Sequence, residues 1–153
     1  MVTMYNGHMP RHFPLSLQFI VAFSVIGFLL SAYSSAAEFF SNQCVQYKTC
    51  FVFLGLPACW AGSLISLSII TLAVLAFKGH LPIKTTLMVT AGNALFGVLF
   101  SGTVTALDLP TFSKVGFGGY PLGAPTCFID LVCFLLTFMV AALAWSYQRD
   151  HDM

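Results

Sequence analysis

Long runs of the chain carry no charge, and little else about it constrains the fold so tightly. Leu15 to Ala37, Thr49 to Phe77 and Thr85 to Leu107 contain no charged side chain, and Thr126 to Tyr147 contains one, Asp130. A helix needs roughly 20 apolar residues to cross a bilayer core of about 30 Å, and each run supplies them. Only 7% of residues are charged and 58% are hydrophobic, whereas an ordinary soluble domain is about 25% charged. A disordered chain needs the opposite balance. A nucleic-acid binder needs a basic face, and the formal net charge is +1. A water-soluble globule could not cover its surface with so few charges. The expected fold class is therefore all-α: a polytopic integral membrane protein, folded as a four-transmembrane-helix bundle. In the second run the helix is expected to start near Pro57. Four spans in 153 residues leave short tails and loops, so 1–153 reads as a single membrane domain in contact with the lipid bilayer.

Basic residues orient such a chain, because Lys and Arg collect on the cytoplasmic side. Arg11, Lys78, Lys84 and Arg149 flank one side, together with His8, His12, His80 and His151; Lys48 and Lys114 lie on the other. This predicts cytoplasmic N- and C-termini and a cytoplasmic 78–84 loop. The longer loops, about 38–56 and 108–125, are then expected on the outer side. The first span is expected to be a retained helix and not a cleaved signal, because its uncharged core exceeds the 7–15 residues of a signal peptide's apolar region.

A shift of 70 positions lays the first span on the third. Ile26-Gly27-Phe28-Leu29-Leu30-Ser31 meets Phe96-Gly97-Val98-Leu99-Phe100-Ser101, and Glu38 meets Asp108. A shift of 68 lays Leu54-Gly55-Leu56-Pro57-Ala58-Cys59 on Leu122-Gly123-Ala124-Pro125-Thr126-Cys127. These matches predict a tandem duplication of a two-helix hairpin, with repeats at about 15–77 and 85–147 and a pseudo-two-fold axis along the membrane normal. Gly27-x-x-x-Ser31 and Gly97-x-x-x-Ser101 put small residues one turn apart, which lets helices approach closely in lipid; the expected seam joins helices one and three. Pro57 and Pro125 suit the first turn of a helix, where a missing N–H costs nothing.

The five cysteines, Cys44, Cys50, Cys59, Cys127 and Cys133, all map to the outer loops or outer helix halves. Five residues separate Cys44 from Cys50, so a bridge between them is open. Cys59 and Cys127 could meet across the pseudo-axis. Cys127 and Cys133 could not bridge if both are helical, since six residues rise about 9 Å and a disulfide needs Cα atoms within roughly 7 Å. Cys133 reads as a buried free thiol. Structural bridges and packing are the plain reading of this set. Thiol exchange at Cys59 and Cys127 is the sharper one. No C-x-x-C is present and no His shares the cysteine side, so no metal centre is expected.

The run Gly27-Phe28-Leu29-Leu30-Ser31-Ala32-Tyr33, then Cys44 and Cys50, then Phe53-Leu54-Gly55-Leu56-Pro57-Ala58 and Gly62, resembles the first half of bacterial vitamin K epoxide reductase-like proteins. The resemblance covers about residues 26–65. It implies a four-helix membrane thiol oxidoreductase that passes electrons from outer-side thiols to a membrane quinone. By position it makes Cys44 and Cys50 the shuttle pair, exchanging with an outer-side redox partner. The family's quinone-facing C-x-x-C would fall at the start of helix four, where this chain has Cys127-Phe128-Ile129-Asp130.

Three functions follow from these readings. The first is a quinone-coupled thiol–disulfide oxidoreductase with catalytic Cys44, Cys50, Cys59 and Cys127. The second is a non-catalytic subunit of a larger complex, held by other membrane subunits. The third is a small transporter or channel using Glu38, Asp108 or Asn93, the two acids otherwise standing at the water line. Asn93, in mid-span, is expected to hydrogen-bond a neighbouring helix. Asp130 lies one turn inside helix four, where the helix dipole favours a carboxylate. Trp60, Trp145 and Tyr147 fall near span ends, as interfacial aromatics do. The glycines of Gly116-Phe117-Gly118-Gly119-Tyr120-Pro121 lack the strand-to-helix setting of a phosphate loop.

Overall fold

A computed structural model describes residues 15–41, 52–53, 56–116 and 126–151, with side chains over 15–36, 60–110, 113–114, 116 and 126–148. Four helices account for nearly all of it: α1 (Leu15–Ser41), α2 (Ala58–Phe77), α3 (Ile83–Val115) and α4 (Thr126–His151). Each is long and apolar enough to cross a membrane. A two-residue antiparallel ladder, β1 (Val52–Phe53) with β2 (Leu56–Pro57), precedes α2 and pairs Val52 with Pro57 and Phe53 with Leu56. No alternation of apolar and polar residues in the sequence marks so short a ladder. Pro57 closes this ladder and Ala58 opens the helix, one residue later than a first-turn proline would allow.

Buried positions recur on every helix at alternating steps of three and four. They are Leu17, Ile20, Ser24, Gly27, Ser31 and Ser34 on α1, and Gly62, Ser66, Ile69, Ala73 and Ala76 on α2. On α3 they are Leu87, Thr90, Ala94, Gly97, Ser101 and Val104, and on α4 Cys127, Asp130, Phe134, Thr137 and Ala141. A strict seven-residue repeat keeps one stripe inward only if the helices wind gently left-handed around each other. The polarity is inverted relative to a soluble bundle: serines and threonines line the seams, while Leu29, Leu64, Phe96, Leu99 and Leu143 are exposed. Lipid is as apolar as leucine, so small side chains that bring backbones together, and not large apolar ones, belong inside such a bundle.

The helices are arranged in a ring in chain order. α1 packs on α2 and α4, α3 packs on α4 and, more lightly, on α2, and α1 stands diagonally across from α3. This corrects the expected seam between helices one and three. The small-residue stripe of α1 meets α2 and α4, because Gly27 lies against Ser66, Asp130 and Cys133; that of α3 meets α4, because Gly97 lies against Phe134. A glycine stripe dictates how closely a neighbour approaches and does not say which neighbour it is.

α3 also outruns its expected end. The helix continues through Pro110 to Val115, so 108–115 is helix and not loop. Proline removes one N–H and crowds the carbonyl one turn back, but the side chains of Ala106, Leu107, Leu109 and Pro110 are exposed, so nothing packed against this turn forbids the adjustment. The Ser113 hydroxyl donates to the Pro110 carbonyl at 2.9 Å. Between α2 and α3 the chain reverses in a Schellman cap: the Gly79 N–H donates to Ala76 O and the His80 N–H to Leu75 O, both at 3.0 Å. Gly79 has φ of 75°, a left-handed conformation that glycine adopts without steric cost.

Two levels stack along the bundle. Toward the α2–α3 turn, Leu17, Ile20, Ile69, Ala73, Leu87 and Ala141 join Ala94 and Phe134 in one apolar cluster drawn from all four helices. Toward the other end lie Ser31, Ser34, Ser66 and Asp130.

Candidate functional site at Asp130

α4 begins at Thr126, so Asp130 projects from its second turn, about 6 Å along the axis at 1.5 Å per residue. It lies on the seven-residue stripe and therefore points into the bundle, where it is 4% exposed. The Ser31 hydroxyl, from α1, donates to Asp130 Oδ2 at 2.5 Å. Two glycines make the room. A Cβ at Gly62 on α2 would lie 3.0 Å from Ser31 Oγ and 3.2 Å from Asp130 Oδ2. A Cβ at Gly27 on α1 would lie 3.4 Å from Ser66 Oγ, and 3.8 Å from both Asp130 Oδ1 and Cys133 Cβ. α2 and α4 stand diagonally in the ring, and at this level the missing Cβ of Gly62 lets the aspartate reach across.

Half of the carboxyl group is unsatisfied. Among the described residues, Asp130 Oδ1 and Ser66 Oγ are both buried with no hydrogen-bond partner. Leaving a buried polar atom unpaired costs about 1–3 kcal/mol, more where it bears charge. Both atoms lie within 4 Å of one point, the open Cβ position of Gly27; the hydroxyls of Ser24, Ser34, Thr90, Thr105 and Thr137 are buried without a partner as well, so it is the carboxyl oxygen that sets this place apart. No basic side chain is paired with Asp130 among the described residues; Lys78, His80 and Lys84 lie at the α2–α3 turn, beyond the apolar cluster.

The residues nominated from sequence fall in several places. Cys44 and Cys50 lie outside the described residues, as does the side chain of Cys59, whose backbone is the second residue of α2. Cys127, the second residue of α4, is buried with Val104 and against Phe100 of α3. Cys133 is buried and turned to Gly27 of α1, as a free thiol. Cys127 and Cys133 thus face different neighbours on one helix. The Glu38 side chain lies outside the described residues; Asp108 is half-buried on the far turns of α3. The Asn93 amide donates to Ser68 Oγ on α2 at 3.3 Å, the interhelical bond expected of it, which ties the two more lightly packed helices together. Trp60 and Tyr147 are exposed near the helix ends, and Trp145 packs against the apolar cluster. Pro125 and residues 117–121 lie outside the described residues.

Sequence reasoning noticed Asp130 but not Ser31, Ser66 or Gly62 around it. A signal was available: the shift of 68 that superposes the second and fourth spans lays Gly62 on Asp130, so the acid and the glycine that admits it occupy matching places. Compared with models of protein families, with curated proteins and with solved structures, the chain matches none.

Proposed function

We propose that this chain is an integral membrane protein built from a duplicated helical hairpin, and that it works by binding a positively charged species, a proton or a metal cation, at Asp130. The burial of a carboxyl group with one oxygen unpartnered carries the reading, because ionisable groups inside a membrane bundle are costly and are kept where they do work. The apolar cluster beneath the acid favours a blind site entered from the end of the bundle where α2 and α4 begin, over a continuous channel. This moves the transporter reading away from Glu38, Asp108 and Asn93.

Two contacts support the duplication. Gly27 faces Ser66, and Gly97 faces Phe134; the shifts of 70 and 68 carry the first pair onto the second. On this reading the outer side, in the sense of the basic-residue bias, is the end at which Asp130 lies.

The test is thermal unfolding of the full chain in mild detergent, across pH and cation composition, for wild type and Asp130→Asn. A ligand at 100 times its dissociation constant raises the wild-type midpoint by roughly 5 °C or more. The amide variant loses that response. Equal responses of the two proteins to pH and to every cation would overturn the reading.

Thiol exchange keeps one observation in its favour: Cys59 and Cys127 each stand second in their helices, at the same end of the bundle. In that reading a partner's thiolate attacks the Cys44–Cys50 disulfide, the partner's second thiolate resolves the mixed disulfide, and the two electrons now on the reduced Cys44–Cys50 pair pass through Cys59 or Cys127 to a membrane quinone, which takes up two protons. Mass-spectrometric mapping of thiols in the reduced protein before and after adding an oxidised quinone is expected to show one pair switching from free to bridged. A cysteine pattern that never changes would rule it out.

A further inference from the structure

We infer that the species held at Asp130 is one dehydrated alkali-metal cation of about sodium size, bound between the Asp130 carboxylate and the hydroxyls of Ser66 and Ser31 in the space left by Gly27 and Gly62. The inference rests on the proposed Asp130 reading and narrows it. Three observations select the ligand. The donors are hard oxygens: a carboxylate and two hydroxyls, all nine-tenths or more buried, the kind of ligand that hard cations take. Two of these atoms, Asp130 Oδ1 and Ser66 Oγ, are unpartnered and border one volume. The described groups around Asp130, namely Ser31, Ser66, Gly27, Gly62 and Cys133, include no second carboxylate, and a single carboxylate balances a single positive charge. A divalent ion would leave a net charge in the bundle, at the desolvation cost that any unpaired buried charge carries.

Size excludes the larger monocations. Neighbouring atoms crowd the Cβ position of Gly62 at 3.0 and 3.2 Å and that of Gly27 at 3.4 Å, too close for an organic ammonium or a hydrated ion. The groups facing Asp130 are Ser31 and Gly27 from α1 and Gly62 and Ser66 from α2, none of them titratable, and Cys133 on its own helix. The buried stripe of α3 at this end, Gly97, Ser101 and Val104, carries no titratable side chain either. Ser31 takes part by turning: its hydroxyl donates to Oδ2 when the site is empty and offers its lone pairs when an ion is present, since a hydroxyl is both donor and acceptor.

The experiment measures the thermal midpoint of the full-length protein in detergent at fixed pH and ionic strength, replacing choline chloride stepwise with sodium, lithium, potassium or calcium chloride. Sodium or lithium is expected to raise the wild-type midpoint saturably, potassium less, calcium not at all. Asp130→Asn is expected to be flat for every salt. Ser66→Ala, which keeps the carboxylate, is expected to weaken the apparent sodium affinity about tenfold, the loss of one ligand–oxygen contact. Gly62→Ala is expected to abolish the response by filling the space, and Gly92→Ala, whose Cβ meets nothing within 4 Å, to preserve it. A wild-type midpoint indifferent to all four salts, yet dependent on pH through Asp130, overturns the ion and leaves the Asp130 reading standing. Indifference to pH and salts alike, with Asp130→Asn matching wild type, overturns both. A sodium response that survives Asp130→Asn or is untouched by Ser66→Ala places the ion elsewhere and overturns the inference.

Discussion

Gly97→Ala is expected to destabilise the protein by about 1–3 kcal/mol, the usual cost of forcing extra carbon into a packed interior. Alanine is ordinarily the better helix former, by about 1 kcal/mol over glycine, so the sign here is set by packing. The added Cβ would lie 2.7, 2.8 and 2.9 Å from Cγ, Cδ1 and Cδ2 of Phe134. Those atoms are the root of the ring and cannot swing clear without moving the whole side chain, which is 3% exposed and enclosed by the apolar cluster. α3 and α4 must therefore part, or Phe134 must leave its rotamer. Gly92→Ala is the matched control: its Cβ meets nothing within 4 Å, so only the propensity gain remains. In a Phe134→Ala background the penalty at 97 should largely vanish, giving a coupling of about 1–3 kcal/mol. Titration with SDS from mild detergent measures wild type and these four variants. Equal stabilities of the 92 and 97 variants would show that α3 and α4 do not meet at this glycine.

The four helices were legible in the sequence because each carries some 20 uncharged residues in a row, the length and composition that a bilayer demands of a spanning helix. Leu15, Phe77 and Thr126 accordingly bound helices where they were expected to. The end of α3 was less legible. A proline at 110 usually signals a stop, but its real effect depends on whether the freed carbonyl and the bent turn have room, and that is decided by what packs beside them. The neighbours of each helix were not legible at all. Gly27 and Gly97 announce close approach, yet a ring of four helices offers each seam several partners, and the choice lies in the summed packing of stripes that run the length of the bundle. Asp130 was legible as an anomaly, the one charge in four apolar runs. Its meaning required Ser31, 99 positions away in the chain, and no local pattern joins those two residues.

That long-range bond yields the second large effect. Ser31→Ala removes the hydrogen bond on Asp130 Oδ2 while Oδ1 already lacks a partner among the described residues, so both carboxyl oxygens would be left buried and unpaired. The expected loss is about 2–3 kcal/mol, at the upper end for an orphaned buried group. Ser101→Ala makes the same chemical change on α3, at the position that the shift of 70 places over Ser31, but its hydroxyl makes no hydrogen bond to Asp130. It should cost no more than one ordinary hydrogen bond, about 1 kcal/mol. In an Asp130→Ala background the Ser31 penalty should fall to nearly nothing, because a serine in a helix can turn its hydroxyl to the carbonyl four residues back, as Ser35 does to Ser31 O at 2.7 Å. The resulting coupling of about 2 kcal/mol would belong to the pair and not to either residue. Asp130→Ala itself should change stability far less than Ser31→Ala, because removing a buried acid also removes its desolvation cost, whereas removing its partner leaves that cost in place. The opposite ranking, with the aspartate variant much the weaker of the two, would mean that the acid is an architectural clamp between α1 and α4. The predicted ranking means that the bundle keeps Asp130 at no gain in stability, as expected of a group retained for what it binds.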